Sequence, residues 1–232
     1  MAAILAVETA TTNCSVALII DEAIQVEKSI NQGYSHAEKL TLLIQEVIQQ
    51  GGIKLQQVDA IAISQGPGSY TGLRIGTSTA KGICYGLNIP LIAVDTLLAM
   101  AYDFRYNNNT QPVDCIVPML DARRMEVYHA ICNSDLSFIK SPQPLILDEN
   151  SFVEELKTGK SIAFIGDGAI KLQPLLTQFP NASFRPQQIP QASAIGKLAV
   201  QKFNLGQFEN TAYFEPQYLK EFMPTQKKSK GE

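Results

Sequence analysis

The chain has 232 residues, of which 45% are hydrophobic and 18% charged, and its formal net charge is -3. That length holds one large core or two modest ones, and the composition leaves little room for disorder. The acidic balance argues against an unaided grip on nucleic acid, which needs a basic surface for phosphates. Apolar runs also stop well short of the roughly 20 residues that a membrane helix requires.

The opening MAAILAVETATTN lacks a basic n-region and reads as a strand, so no signal peptide is expected. Cys14, Cys84, Cys115 and Cys132 are scattered without a CxxC spacing, which predicts reduced core thiols in a cytoplasmic protein. The basic tail from Lys227, KKSKGE, reads as a solvated end.

In chain order, three strands come first, at Ile4 to Glu8, Cys14 to Ile20 and Ala23 to Ile30, joined by polar turns. A helix follows from about Ser35 to Gln50, with Leu40, Leu43, Ile44, Val47 and Ile48 on one face and Gly51-Gly52 as its stop. A buried-type strand (Val58 to Ser64) leads through a glycine loop into a second helix that ends near Tyr85. A short strand (Pro90 to Val94) and a helix from Asp95 to about Phe104 complete the unit.

Beyond a polar linker at Asn107 to Gln111 the order begins again. Strands are expected at Cys115 to Leu120 and Glu126 to Cys132, with Phe138-Ile139 as a weak third. Then come a helix at about Phe152 to Lys157, the strand Ser161 to Gly166, a helix Lys171 to Phe179 and a last helix Ala192 to Phe203. The reading is an α/β protein of two lobes, about 1–106 and 111–232, with the second less complete and its last helix packing back on the first lobe. Two such lobes would leave a cleft between them.

The segment GPGSYTGLRIGTSTAKG, Gly66 to Gly82, carries the most information. It fails the phosphate-binding spacing GxxxxGK[ST], because Leu73 and Arg74 follow Gly72, and it fails GxGxxG at Thr71. Its helix instead repeats small residues at Gly72, Gly76 and Ala80, with Leu73, Ile75 and Ile83 beside them. This stripe suits either packing inside the fold or a close helix-helix contact with another chain. The helix N-terminus also suits an anion, so a ligand stays open.

His36 stands at the start of the first helix, where a metal pair would need a ligand at i+3 or i+4. Leu40 occupies i+4, so a capping or surface histidine and no metal are expected. Glu8 and Thr9 form the turn after the first strand, which reads either as an ordinary hairpin or as a phosphate-contacting turn with an acid for a divalent ion. Asp121 to Arg124 is the equivalent turn of the second half. Gly166 and Gly168, in the turn IGDG, read either as candidates for approach to an adenosine or as an ordinary strand-to-helix turn. No serine or cysteine has a nucleophile-elbow setting, so the catalytic inventory is thin.

The stretches ILAVETATTNCSVAL, YSHAEKL and SQGPGSYTGLRIGTSTAKG resemble the TsaB family of tRNA threonylcarbamoyladenosine biosynthesis proteins, as do IGDG and the closing EPQYL (Glu215 to Leu219). The resemblance implies a two-lobed actin-like ATPase fold of the ribonuclease H-like kind. It also implies a non-catalytic scaffold that pairs with a TsaD-like catalytic subunit, with a TsaE-like ATPase docking on the pair and tRNA met only through the complex. The catalytic relative's HxxxH survives here only as His36, with Leu40 in the second place, and phosphate-loop glycines are replaced at Ala10 and Ala122.

Pairing is implied through the two first-lobe helices, with His36, Leu40, Leu43, Val47, Gly72, Leu73, Ile75, Gly76, Thr79, Ala80 and Ile83 as interface residues. A homodimer through the same helices is expected when the partner is absent. No intrinsic cofactor is expected, and a nucleotide at the complex interface stays open, with Glu8, Thr9, Gly166 and Gly168 as its candidates. The rival reading is a stand-alone enzyme of the same superfamily, a metallopeptidase or an ATP-dependent kinase.

Overall fold

The computed structural model describes residues 2–31, 36–107 and 112–220. The predicted start of the first helix at Ser35, most of the linker and the basic tail lie outside these residues.

The first lobe begins with a meander, β1 (Ala3–Glu8), β2 (Cys14–Ile20) and β3 (Ala23–Ile30). Asp21 and Glu22 turn β2 into β3 with φ of 48° and 66°, the backbone that a tight hairpin of matching twist needs. Helix α1 (His36–Gln50) follows, then a single 3-10 turn at Leu55–Gln57, β4 (Ala60–Gly66), α2 (Tyr70–Leu87), β5 (Leu91–Asp95) and α3 (Thr96–Asn107). Strand order is β3-β2-β1-β4-β5, antiparallel through β1 and parallel from β1 to β5. Burial of every residue of β1, and of all of β2 but Ile20, follows from helices on both faces of this sheet.

The second lobe has β6 (Cys115–Asp121), β7 (Glu126–Asn133), β8 (Phe138–Ile146), α4 (Val153–Lys157), β9 (Ile162–Ile165), α5 (Ala169–Leu172), a 3-10 turn at Gln173–Leu175 and β10 (Ala182–Arg185), after which α6 (Ala192–Asn204) packs back on the first lobe. Its sheet, read β8-β7-β6-β9-β10, repeats the winding of the first. The second lobe is therefore reduced in its helices, not in its sheet.

Two sequence expectations fail here for identifiable reasons. The weak third strand at Phe138-Ile139 is the nine-residue β8, whose Pro142 and Pro144 are tolerated because it is an edge strand. The expected helix Lys171 to Phe179 starts at Ala169 and passes into a 3-10 turn at Gln173, where Pro174 withholds the amide a helix would need.

Leu5, Val7, Val16, Leu18, Ile61 and Ile63 pack beneath α1 and α2 on one face of the first sheet. Ile4, Ala6, Ala17 and Ile19 pack beneath α6, with Ala99 of α3, on the other. Helix α6 sits close because Gly196 faces Ile19, whose Cδ1 lies 2.0 Å from where a Cβ would stand. Helix α3 joins the lobes, since its Leu97, Met100, Ala101 and Phe104 pack with Ile116, Ala130 and Ile165 of the second sheet. This double role explains why α3 is apolar around most of its circumference.

After α6 the chain returns as a strap over the first lobe. Glu209 bridges Leu91 on the open edge of β5, Lys81 Nζ donates to the carbonyls of Ala212 (3.0 Å) and Phe214 (3.1 Å), and Gln217 donates its amide to Gln65 O (2.7 Å). Tyr218 meets Tyr70 at 4.9 Å, and Lys220 pairs with Glu126 of the second lobe.

Candidate functional site

The carboxyl ends of β1, β4 and β5 bring together Glu8, Ser64 and Asp95, all buried. In open α/β sheets this end, beside the first crossover, is where ligands bind. Glu8 is fully buried and accepts a short hydrogen bond on Oε1 from the Ala10 amide, while its Oε2 has no partner among the described residues. Burial pushes its carboxyl up to about 7, against the downward pull of the Ala10 amide. Asp95 is raised to about 6, again mainly by burial, although its Oδ1 accepts from the Leu98 amide (2.9 Å) and so caps α3. Neither Ser64 nor Asp95 stood out in the sequence. A serine inside the apolar run AIAIS and an acid directly before a helix were the available signals.

The glycine loop closes over this end. Ser69 caps α2 through the Gly72 amide (3.3 Å) and gives its own amide to Ala10 O (2.6 Å). A Cβ on Gly68 would lie 2.5 Å from Ala10 O, one on Gly72 2.1 Å from Thr9 O, and one on Gly76 2.3 Å from Thr9 Oγ1. The glycines are thus required because α2 and its loop lie directly on the Thr9-Ala10 turn of the same chain. Gly66, with φ of 111°, faces Gln217 O of the strap at 2.8 Å.

This placement corrects the interface expected from the sequence. Gly72, Leu73, Gly76 and Ala80 are buried and face inward, as are Leu40, Leu43 and Val47 of α1, which fill the core over the first sheet. His36 is likewise 2% exposed with Nε2 unpaired among the described residues, so it is neither a surface residue nor open to a partner. Of the predicted residues Ile75, Thr79 and Ile83 retain partial exposure. The outer line of α2 runs through Ile75, Thr79, Gly82 and Gly86, spaced by four, three and four residues and so on one face. A Cβ on Gly82 or Gly86 would meet nothing within 4 Å among the described residues, and Tyr85 beside them is 88% exposed.

The candidates for adenosine contact also resolve into packing. Gly166, at φ of 94°, would place a Cβ 2.2 Å from Met119 O, and Gly168 would meet Met119 and Val127 side chains at 3.0 Å. Their amides are committed to Arg185 O (3.0 Å) and Met119 O (3.2 Å), so neither glycine amide is free for a phosphate. Nearby, Asp167 accepts from the Asp121 amide (2.9 Å) and Lys171 pairs with Asp121 (2.7 Å), a self-satisfied cluster. Among the described residues no group of three histidine, cysteine or acidic side chains is placed to hold a metal ion. No helix among them is long and apolar enough to cross a membrane.

Two like-wound five-stranded lobes joined through a shared helix define a two-lobed protein of the actin-like ATPase fold. The (R)-2-hydroxyglutaryl-CoA dehydratase component A of Acidaminococcus fermentans shares it at 10% identity, with a TM-score of 0.51 over 87% of this chain and 99% of that one. The crystal structure of an uncharacterized protein with similarity to peptidase YeaZ from Pseudomonas aeruginosa matches at a TM-score of 0.78 and 24% identity, over 95% of this chain and 100% of that one. The family model described as TsaD, tRNA N6-adenosine threonylcarbamoyltransferase, matches residues 27–220, and the chain belongs to that family. The chain is also 37% identical over 128 residues to the tRNA threonylcarbamoyladenosine biosynthesis protein TsaB of Escherichia coli (strain K12), which bears out the resemblance to TsaB. That match takes in 55% of this chain and 53% of that protein, so the chain spans about half the length of the curated relative it matches.

Proposed function

We propose that this chain is a non-catalytic subunit in the formation of N6-threonylcarbamoyladenosine beside the anticodon of tRNAs that read codons beginning with A. It pairs with a TsaD-like catalytic subunit and meets tRNA only through that complex, in the cytoplasm. A TsaE-like ATPase docks on the pair. The observation that carries this reading is the outer line of α2, where Gly82 and Gly86 stand open beside Ile75, Thr79 and the exposed Tyr85. Two glycines on an exposed helix face let a partner helix approach its backbone closely, as small-residue stripes do. Leu40, buried at i+4 from His36, leaves that helix face without a second metal ligand, which supports a subunit without transfer chemistry of its own. The glycine loop pressed onto Thr9-Ala10 supports a nucleotide shared at the complex interface over one held by this chain alone.

The test is Gly82→Leu, which adds bulk at a position where a Cβ meets nothing within 4 Å among the described residues. Heterodimer affinity measured by calorimetry with the catalytic partner is expected to fall by about a hundredfold, the cost of forcing two close helices apart. The same variant is expected to weaken any homodimer through this face in sedimentation. An unchanged heterodimer affinity, in a variant that unfolds at the parent's temperature, refutes the interface. Reconstituted tRNA modification with equal multiple-turnover rates with and without this chain refutes the subunit role itself.

A further inference from the structure

On the outer face of the second sheet lie two adjoining hollows that the proposed subunit role does not use. The first, about 110 Å³, is walled by Val117, Ile131, Phe152 and Ile162. It exists because α4 has only five residues and leaves the sheet beside it uncovered. The second, about 440 Å³, is more polar and reaches His129, Gln143, Asn150 and Ser151. Lys140, Phe152 and Glu155 line both.

Three observations say what would fit. An apolar cavity of roughly 150 Å³ accepts a benzene-sized guest, so the smaller hollow suits a branched aliphatic group. At the junction, Lys140 Nζ and Glu155 Oε1 form an ion pair of 2.8 Å that is partly open to solvent. Lys160 at the rim of the first hollow and Glu154 at the second repeat the two charges. Finally, His129 is 3% exposed, lines the second hollow and has no partner for Nδ1 among the described residues. A buried ring nitrogen left unpaired costs about 1–3 kcal/mol unless something in the hollow pairs with it. Burial also pushes the imidazole pKa down, which keeps the ring neutral.

An apolar hollow beside a pair of opposite charges complements a molecule that carries both charges next to a short hydrocarbon branch. A simple fatty acid or amine would satisfy one member of the pair and face repulsion from the other. We propose that the double hollow binds a free α-amino acid with a branched aliphatic side chain, of leucine size. The side chain fills the apolar hollow, and the ammonium and carboxylate lie against Glu155 and Lys140. This site is separate from α2 and stands whether or not the subunit role does.

The test is titration of the full chain with L-leucine, 4-methylpentanoate, isoamylamine and N-acetyl-L-leucinamide, read by calorimetry and by methyl NMR shifts at Val117 and Ile131. Saturable leucine binding is expected, with both methyls shifting and the two single-charge analogues at least about tenfold weaker. Glu155→Gln and Lys140→Met are each expected to weaken leucine about tenfold, and since both lie on a partly exposed ion pair the fold should persist. The proposal is overturned by absent leucine binding, by binding without shifts at Val117 and Ile131, or by equal affinity in both variants. Tighter binding of N-acetyl-L-leucinamide than of leucine also overturns it, by assigning the hollow to a peptide.

Discussion

Helix α2 carries glycines on two different lines, one seated on Thr9 and one open, and exchanging one from each for alanine separates their roles. At Gly82 a new methyl meets nothing within 4 Å, so Gly82→Ala is expected to gain about 1 kcal/mol from helix propensity alone. At Gly76 the same methyl would lie 2.3 Å from Thr9 Oγ1 and 3.4 Å from Thr9 Cγ2. Thr9 is buried and β-branched, so its side chain has little room to turn away. Overpacking of this kind costs about 1–3 kcal/mol, which cancels or exceeds the propensity gain. The two variants should therefore differ by about 2 kcal/mol, or about 6 °C in melting temperature for a chain of this length. Urea unfolding with an unchanged slope is the assay. In a Thr9→Ala background the obstructing Oγ1 and Cγ2 are gone, and the penalty at Gly76 should shrink to near zero in a double-mutant cycle. If Gly76→Ala stabilises the parent as much as Gly82→Ala does, then α2 is not seated on Thr9 and the inward assignment of Gly72, Gly76 and Ala80 is wrong.

Three further outcomes follow from other contacts. Because Glu8 is raised from 4.5 to about 7, the folded chain holds a proton that the unfolded chain releases between those values. Stability from Glu8 is therefore full below pH 4.5 and falls as pH rises to about 7, by about 3 kcal/mol at most. Glu8→Gln should remove that fall and gain on the parent above pH 7, while the like-signed slope of Asp95 between 3.8 and about 6 stays in both proteins; parallel urea midpoints for the two proteins from pH 5 to 8 would contradict this. Lys81→Met removes both hydrogen bonds to the strap carbonyls and should speed hydrogen exchange over residues 209–217 with little change in global stability, whereas unchanged exchange there would show that Lys81 does not hold the strap. Gly196→Ala drives a methyl into Ile19 and should cost about 1–3 kcal/mol, part of which Ile19→Val restores by deleting the Cδ1 that it strikes; a neutral Gly196→Ala would mean that α6 does not lie on the sheet as described.

What the sequence discloses follows from the range over which each signal acts. The α1 face is legible because Leu40, Leu43, Ile44, Val47 and Ile48 repeat with the helical period, and all five are buried. Likewise the meander is legible from β-branched runs separated by polar turns. Strand β8 is not, because Pro142 and Pro144 read locally as breakers and only its place at the sheet edge makes them harmless. Strand β10 has four residues, too few to show any period, and is fixed by pairing with β9. The strap leaves no local signal at all. Its contacts from Lys81 and Gln65 lie more than a hundred residues away along the chain.

The candidate site was legible as composition and not as direction. The helical period puts Gly72, Gly76 and Ala80 on one line of α2 and Ile75, Thr79, Gly82 and Gly86 on another about 90° away, and each line carries two glycines that could admit a neighbour. Contacts decide between them: the first line is filled by Thr9, Ala10 and the sheet beneath, so its glycines are fully explained by the chain's own packing. The second line has no such explanation. Each helical glycine costs about 1 kcal/mol relative to alanine, and neither Gly82 nor Gly86 gains an internal contact or a special backbone angle in return. A cost with no compensation inside the fold calls for one outside it, and the partner helix proposed above would supply it. Gly82 and Gly86, where an added Cβ would meet nothing among the described residues, are therefore the positions at which the proposed partner helix would come closest.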